Sequence, residues 1–173
     1  MWHVITQHCI SGVAKLAFEY IDRSTFFIKE SSRTNPFFFR YVIFFFPPNS
    51  MRRFKARRCY KDRVLMPTIN CLLQCVNLEE LYLEKADSPA ITTYLLAHIL
   101  KYLTRLRVLA LPKQCDDDVA AVVGINCPKL ECIILTGTAV TNVGLSWLLC
   151  CRQLHTLIMP GFFQGVTPKG DYV

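Results

Sequence analysis

The amino-acid sequence predicts an α/β fold, a solenoid with a parallel strand ladder and outer helices, preceded by a helical or poorly ordered N-terminal region. Three observations carry that expectation. A six-residue apolar pattern recurs four times from residue 71 onward, as Leu78-x-x-Leu81-x-Leu83, Leu106-x-x-Leu109-x-Leu111, Leu130-x-x-Ile133-x-Leu135 and Leu154-x-x-Leu157-x-Met159. Its copies start 28, 24 and 24 residues apart, and all twelve template positions hold Leu, Ile or Met. Between copies the apolar residues recur at helical steps of three and four, so each unit is one short strand and one helix. A unit that small buries little by itself, and neighbouring units must stack.

The elements follow in order. Residues 1–28 form an N-terminal helical segment, in which Ile10, Val13, Ala17 and Ile21 recur beside Leu16 and Tyr20, with Gly12 as a weak point. Residues 29–63 read as a Phe/Pro-rich and basic linker, poorly ordered, because no turn signal or periodicity joins Phe37-Phe38-Phe39, Phe44-Phe45-Phe46 and Pro47-Pro48 to the repeats. Pyrimidine-rich Phe codons followed by Pro also match translated non-coding sequence at a splice acceptor, which the spliced transcript tests. Residues 64–173 form the repeat domain, about four repeats and incomplete at the C-terminus, with strands near 80–84, 107–111, 131–135 and 155–159.

Three helices are expected between these strands. Ser88-Pro89 opens the first, with an apolar face of Tyr94, Leu95, Leu96, Ile99, Leu100 and Leu103. Asp116-Asp117-Asp118 places acids at the start of the second, ahead of Val119, Val122 and Val123, and Thr141-Asn142 opens the third, ahead of Leu145, Trp147, Leu148 and Leu149. Burial is expected at Leu81, Leu83, Leu109, Leu111, Ile133, Leu135 and Leu157. The strand near 155–159 is expected as an open edge, making the chain a fragment of a longer repeat protein or one that associates through that edge.

Charge is concentrated. Of the formal +7, residues 52–63 supply +6, from Arg52, Arg53, Lys55, Arg57, Arg58, Lys61 and Arg63 against Asp62. This patch reads as a solvated linker, a nuclear-localisation or nucleic-acid patch, or a contact with an anionic membrane surface. Phe54 and Tyr60 are its only aromatics, too few for a base-stacking platform, which makes nucleic acid an unlikely partner. Met1-Trp2-His3-Val4 has neither a basic start nor an apolar core of a signal peptide. The longest apolar run, Phe37 to Phe46, is ten residues with Arg40 inside it, whereas a membrane span needs about 20. These features predict an intracellular chain, cytoplasmic or nuclear, with no transmembrane segment.

The nine cysteines divide zinc, nucleophile and packing readings. Cys71/Cys75 is the one close pair with chelating spacing, no His pair completes a site, and a base such as His98 or His155 would have to be brought to a nucleophile by the fold. Cys75, Cys127 and Cys151 instead stand three residues before a repeat's first Leu, as Leu103 does, the place of a small buried hydrophobe. Asp116-Asp117-Asp118 lacks a second acidic cluster for a divalent metal, and Gly161-Phe162-Phe163-Gln164-Gly165 lacks the Lys-Ser or Lys-Thr of a phosphate loop. No enzyme, metal or cofactor is expected.

The strand face is the more informative surface. Alternation along each strand sends the template residues inward and leaves three rows on the other side: Glu80, Val108, Cys132, Thr156; Tyr82, Ala110, Ile134, Ile158; and Glu84, Pro112, Thr136, Pro160. The middle row is apolar throughout. Two readings stand, a partner-binding groove with an acidic end at Glu80 and Glu84, or a surface covered by flanking repeats or the N-terminal segment.

The segment from Cys127-Pro128-Lys129-Leu130-Glu131-Cys132 through Thr141-Asn142-Val143-Gly144-Leu145 resembles the cysteine-containing leucine-rich repeat of F-box and leucine-rich-repeat proteins, and of relatives that have the repeats without an F-box. The resemblance covers about residues 71–173. It implies a concave strand face that holds a substrate protein for an SCF-type ubiquitin ligase, in a family whose N-terminal F-box docks the ligase adaptor. Residues 1–70 show no Leu-Pro-opened, tryptophan-closed F-box, and Trp2 and Trp147 are the only tryptophans. A ubiquitin-ligase adaptor is thus a partner by resemblance only.

Overall fold

The computed structural model describes residues 25–29, 48–57, 72–84, 89 and 91–160. They form one six-stranded parallel sheet whose strands are neighbours in chain order: β1 (Thr25–Lys29), β2 (Arg53–Arg57), β3 (Glu80–Tyr82), β4 (Val108–Leu111), β5 (Cys132–Leu135) and β6 (Thr156–Ile158). Helices α1 (Thr93–Leu100), α2 (Asp117–Asn126) and α3 (Asn142–Leu148) occupy the connections after β3, β4 and β5. Every pairing is parallel, and the template register expected from the sequence is the observed one: Leu81 pairs with Leu109, Leu109 with Ile133, and Ile133 with Leu157.

Two expectations about the N-terminal half are corrected. Residues 53–57 are a strand of the same sheet, where a linker was expected, and residues 25–28, assigned to the helical segment, lie in β1. The repeats therefore begin before residue 64. Phe54 pairs with Leu81 and with Phe26, and Met51-x-x-Phe54-x-Ala56 occupies the template positions with Phe54 and Ala56 each 1% exposed. The helical pattern at 10–21, the Phe runs and Cys71 lie outside the described residues.

A backbone pattern ties the strands together ahead of each pairing from β2 to β6. The carbonyls of Arg52, Glu79, Arg107 and Glu131 each accept two successive N–H groups from the next unit, at 2.7–3.1 Å. These residues end otherwise irregular segments, so the bonds satisfy groups that no helix or strand would.

The core lies between sheet and helices. Leu78, Leu81, Leu83, Leu106, Leu109, Leu111, Leu130, Ile133 and Leu135 are all 1% exposed or less. Leu157 is the exception among the residues expected inside, at 45%. It sits on β6, the last strand of the described sheet, and no described helix follows to cover it. Cys75, Leu103, Cys127 and Cys151 are buried in one row, as the spacing predicts. The Cys127 and Cys151 thiols donate to the carbonyls of Leu103 and Val123 at 3.9 and 3.8 Å, reaching back to the preceding unit. Burial, with a smaller contribution from Cys151, pushes the Cys127 thiol up to about 12, so at neutral pH it remains a protonated donor.

The helix starts follow local chemistry. Asp116 caps α2, accepting from the Val119 N–H at 3.1 Å, and Thr141 caps α3. Thr92 caps α1, where Ser88-Pro89 had been expected; Ser88 lies outside the described residues. Tyr94 is 80% exposed although it was placed on the apolar face, because at about 100° per residue it stands roughly 160° around the helix from buried Leu96.

Asp117 links two units. Its carboxylate accepts from the Thr141 N–H at 2.7 Å, the Thr141 hydroxyl at 2.6 Å and the Gly144 N–H at 3.1 Å, so the first turn of α2 also caps α3. Partial burial opposes its ionisation, but the bonds from Thr141 and Gly144 outweigh that and hold the carboxyl below its ordinary value. A depressed carboxyl stabilises the fold above the unfolded-state pKa, and the contribution disappears as pH falls through the folded one. Asp117→Asn should therefore lower the melting temperature at pH 7, with the gap to wild type closing as pH drops below the ordinary carboxylate range. A gap independent of pH would show that the charge on Asp117 is not what caps α3.

Candidate protein-interaction face

The residues opposite the core form rows whose register the sheet sets. Arg53, Glu80, Val108, Cys132 and Thr156 are successive partners in one row, and Lys55, Tyr82, Ala110, Ile134 and Ile158 in the next. The three rows read from the sequence are thus present and extend onto β2. This changes their electrostatics. Glu80 does not end its row as an uncompensated acid, because β2 brings Arg53 into that row and Lys55 into the row of Tyr82, whereas Glu84 stands in the third row, half-buried.

The polar end is a connected cluster. Arg53 Nε lies 2.8 Å from Glu80 Oε1, the Tyr82 hydroxyl donates to Glu80 Oε2 at 3.2 Å, and Lys55 Nζ stands 4.3 Å from the centre of the Tyr82 ring. Partial burial, reinforced by the charge and hydrogen bond of Glu80, pushes the Tyr82 hydroxyl up to about 12, so it stays a donor. Outside these rows, Arg52 donates to the Asn77 carbonyl at 3.1 Å and lies 3.7 Å from Glu79. Three members of the basic patch, Arg52, Arg53 and Lys55, are therefore engaged with their own chain. Arg58, Lys61 and Arg63 lie outside the described residues, and Arg57 is placed only by its backbone pairing with Lys29.

From β4 to β6 the first two rows carry no charge. Val108, Cys132, Ile134 and Thr156 are half-buried and Ile158 is 44% exposed. Ala110 is the correction: expected as a contact residue, it is 0% exposed. Its methyl group stands between the larger Tyr82 and Ile134 on adjacent strands, about 4.8 Å to either side. In the third row Glu84 and Thr136 are half-buried, Pro112 is buried and Pro160 exposed.

One feature of this side escaped the sequence reading. The residues immediately before successive strands are Arg52, Glu79, Arg107, Glu131 and His155, an alternation of charge across the sheet. Arg107 forks onto Glu131 with bonds of 2.8 and 3.0 Å. That bond, aided by the charges of Arg107 and His155 against a small desolvation cost, holds the Glu131 carboxyl below its ordinary value. The pair is exposed and screened by solvent, so it favours correct register more than stability. The detectable signal was the position itself, one residue before each strand, which a search for apolar periodicity passes over.

Among the described residues, no three His, Cys, Asp or Glu side chains gather as a metal site, and no helix is long and apolar enough to cross a membrane. Asp116, Asp117 and Asp118 serve at the α2 N-terminus. No family model matches this sequence, and no curated protein matches it.

Proposed function

We propose that this chain is a protein-interaction module of leucine-rich-repeat type, whose strand face holds a substrate protein for SCF-type ubiquitin ligation. The observation that carries the interaction reading is the uncharged strip of Val108, Cys132, Ile134, Thr156 and Ile158 across three adjacent strands, partly open to solvent beside the polar cluster of Arg53, Glu80, Tyr82 and Lys55. Water held against such a strip is released when an apolar partner covers it. The ubiquitin-ligase part rests on the resemblance of the repeats, and an adaptor would need a docking element other than a recognisable F-box. The competing reading, a nuclear or nucleic-acid-associated factor using residues 52–63, has less support, because Glu79 and Glu80 offset the charge of Arg52 and Arg53 and a phosphate backbone needs several uncompensated cations.

The test compares strand-face variants Ile134→Glu and Ile158→Glu with the helix variant Tyr94→Glu, all at solvent-accessible positions. Proteins captured by wild type, and ubiquitinated when the chain is overexpressed, should be lost with the first two and retained with the third. Capture should change little with salt, whereas phosphate binding through several basic side chains falls by orders of magnitude between about 50 and 200 mM. Undiminished capture by both strand-face variants would refute the reading.

A further inference from the structure

The strand face is chemically polarised from end to end, and its polarity defines the partner. On β2 and β3, Glu80 is shared by Arg53 and Tyr82 and its side chain is only 22% exposed, while the Arg53 side chain is 54% exposed. The charge that faces solvent at this end is therefore positive. Lys55 adds a second cation. On β5 and β6, Ile134 and Ile158 are adjacent partners and carry the apolar end.

We infer that the face binds a protein segment with a carboxylate at one end and apolar side chains at the other, the acid meeting Arg53 and Lys55 and the apolar group covering Ile134 and Ile158. This rests on the interaction reading above and specifies its partner. The guanidinium of Arg53 meets Glu80 through its Nε and its side chain is half-exposed, and a planar guanidinium suits an incoming carboxylate. Strands β2 and β5 are three spacings apart, about 14 Å, which an extended segment crosses in about four residues and a helix in about nine. A basic segment is repelled at one end and a uniformly apolar one leaves the cationic cluster unmatched.

A random-peptide display library panned on the purified full chain tests this, with the enriched peptides then synthesised and titrated. Enriched sequences should pair Asp or Glu with Leu, Ile or Phe at one of those two spacings. Arg53→Gln/Lys55→Gln should weaken them several-fold and flatten the preference for acid over amide at that position, while Ile134→Asp should abolish binding. Tyr94→Glu should leave affinity unchanged. Apolar peptides that depend on Ile134 but not on Arg53 and Lys55 overturn this inference and leave the interaction face standing. Peptides indifferent to Ile134, no enrichment, or binding only to single-stranded RNA or anionic vesicles overturn both.

Discussion

Leu109→Asp should leave no cooperative folded state. Leu109 is at the centre of β4, paired with Leu81 on one side and Ile133 on the other, and is 0% exposed. The substitution forfeits about 2–3 kcal/mol of apolar burial, and an unpaired carboxylate in that position costs several kcal/mol more, through desolvation or through protonation against a neutral solution. Together these match the about 5–15 kcal/mol that stabilises a typical domain. Urea unfolding followed by circular dichroism should show a sigmoidal transition for wild type and none for the variant. Leu157→Asp is the informative control. It occupies the same template position one and two units on from Ile133 and Leu109, but at 45% exposure its carboxylate keeps water, and a transition close to wild type is expected. Equal loss in both would mean that β6 is as enclosed as β4.

Gly124→Ala should destabilise the chain even though alanine favours a helix over glycine by about 1 kcal/mol. Gly124 is buried on α2 where α3 crosses it, and an added Cβ would overlap the Trp147 carbonyl oxygen and lie 2.9 Å from its carbon. Those are backbone atoms, so no side-chain rotation relieves the overlap. The helices must separate, and an overlap with backbone puts the cost at the upper end of the about 1–3 kcal/mol typical of overpacking, more than the helix preference returns. Gly137→Ala separates this effect from backbone strain. Gly137 has φ +62° but nothing within 4 Å of an added Cβ, so only the left-handed penalty of about 1 kcal/mol applies. Chemical denaturation of the two variants should rank Gly124→Ala as the more damaged, and the reverse order would contradict the close approach of α2 and α3.

The parts of the fold visible in the sequence are those in which each residue acts by side-chain type alone. Leu81, Leu109 and Ile133 carry an apolar requirement that repeats every 24 to 28 residues, and Asp116 and Thr141 cap helices from one position away. β2 was hidden because its inward residues are Phe54 and Ala56 rather than Leu, and its outward Arg53 and Lys55 read as part of a solvated charge run. Those charges acquire partners only through a sheet register spanning 27 residues, from Arg53 to Glu80. The closure of Ala110 depends likewise on Tyr82 and Ile134 standing on neighbouring strands, and Asp117 on a loop 24 residues away. One-dimensional patterns show what a position needs; cross-strand geometry shows what it meets.

On the proposed reading, the open side of the sheet receives the partner and the helix side does not. A photo-activatable benzoylphenylalanine placed at position 134 on β5, and separately at position 94 on α1, tests it in living cells. Adducts should form from position 134, disappear when Ile158→Glu is added, and be absent from position 94. Adducts of equal strength from both positions, or from position 94 alone, would show that the strand face is not the binding surface.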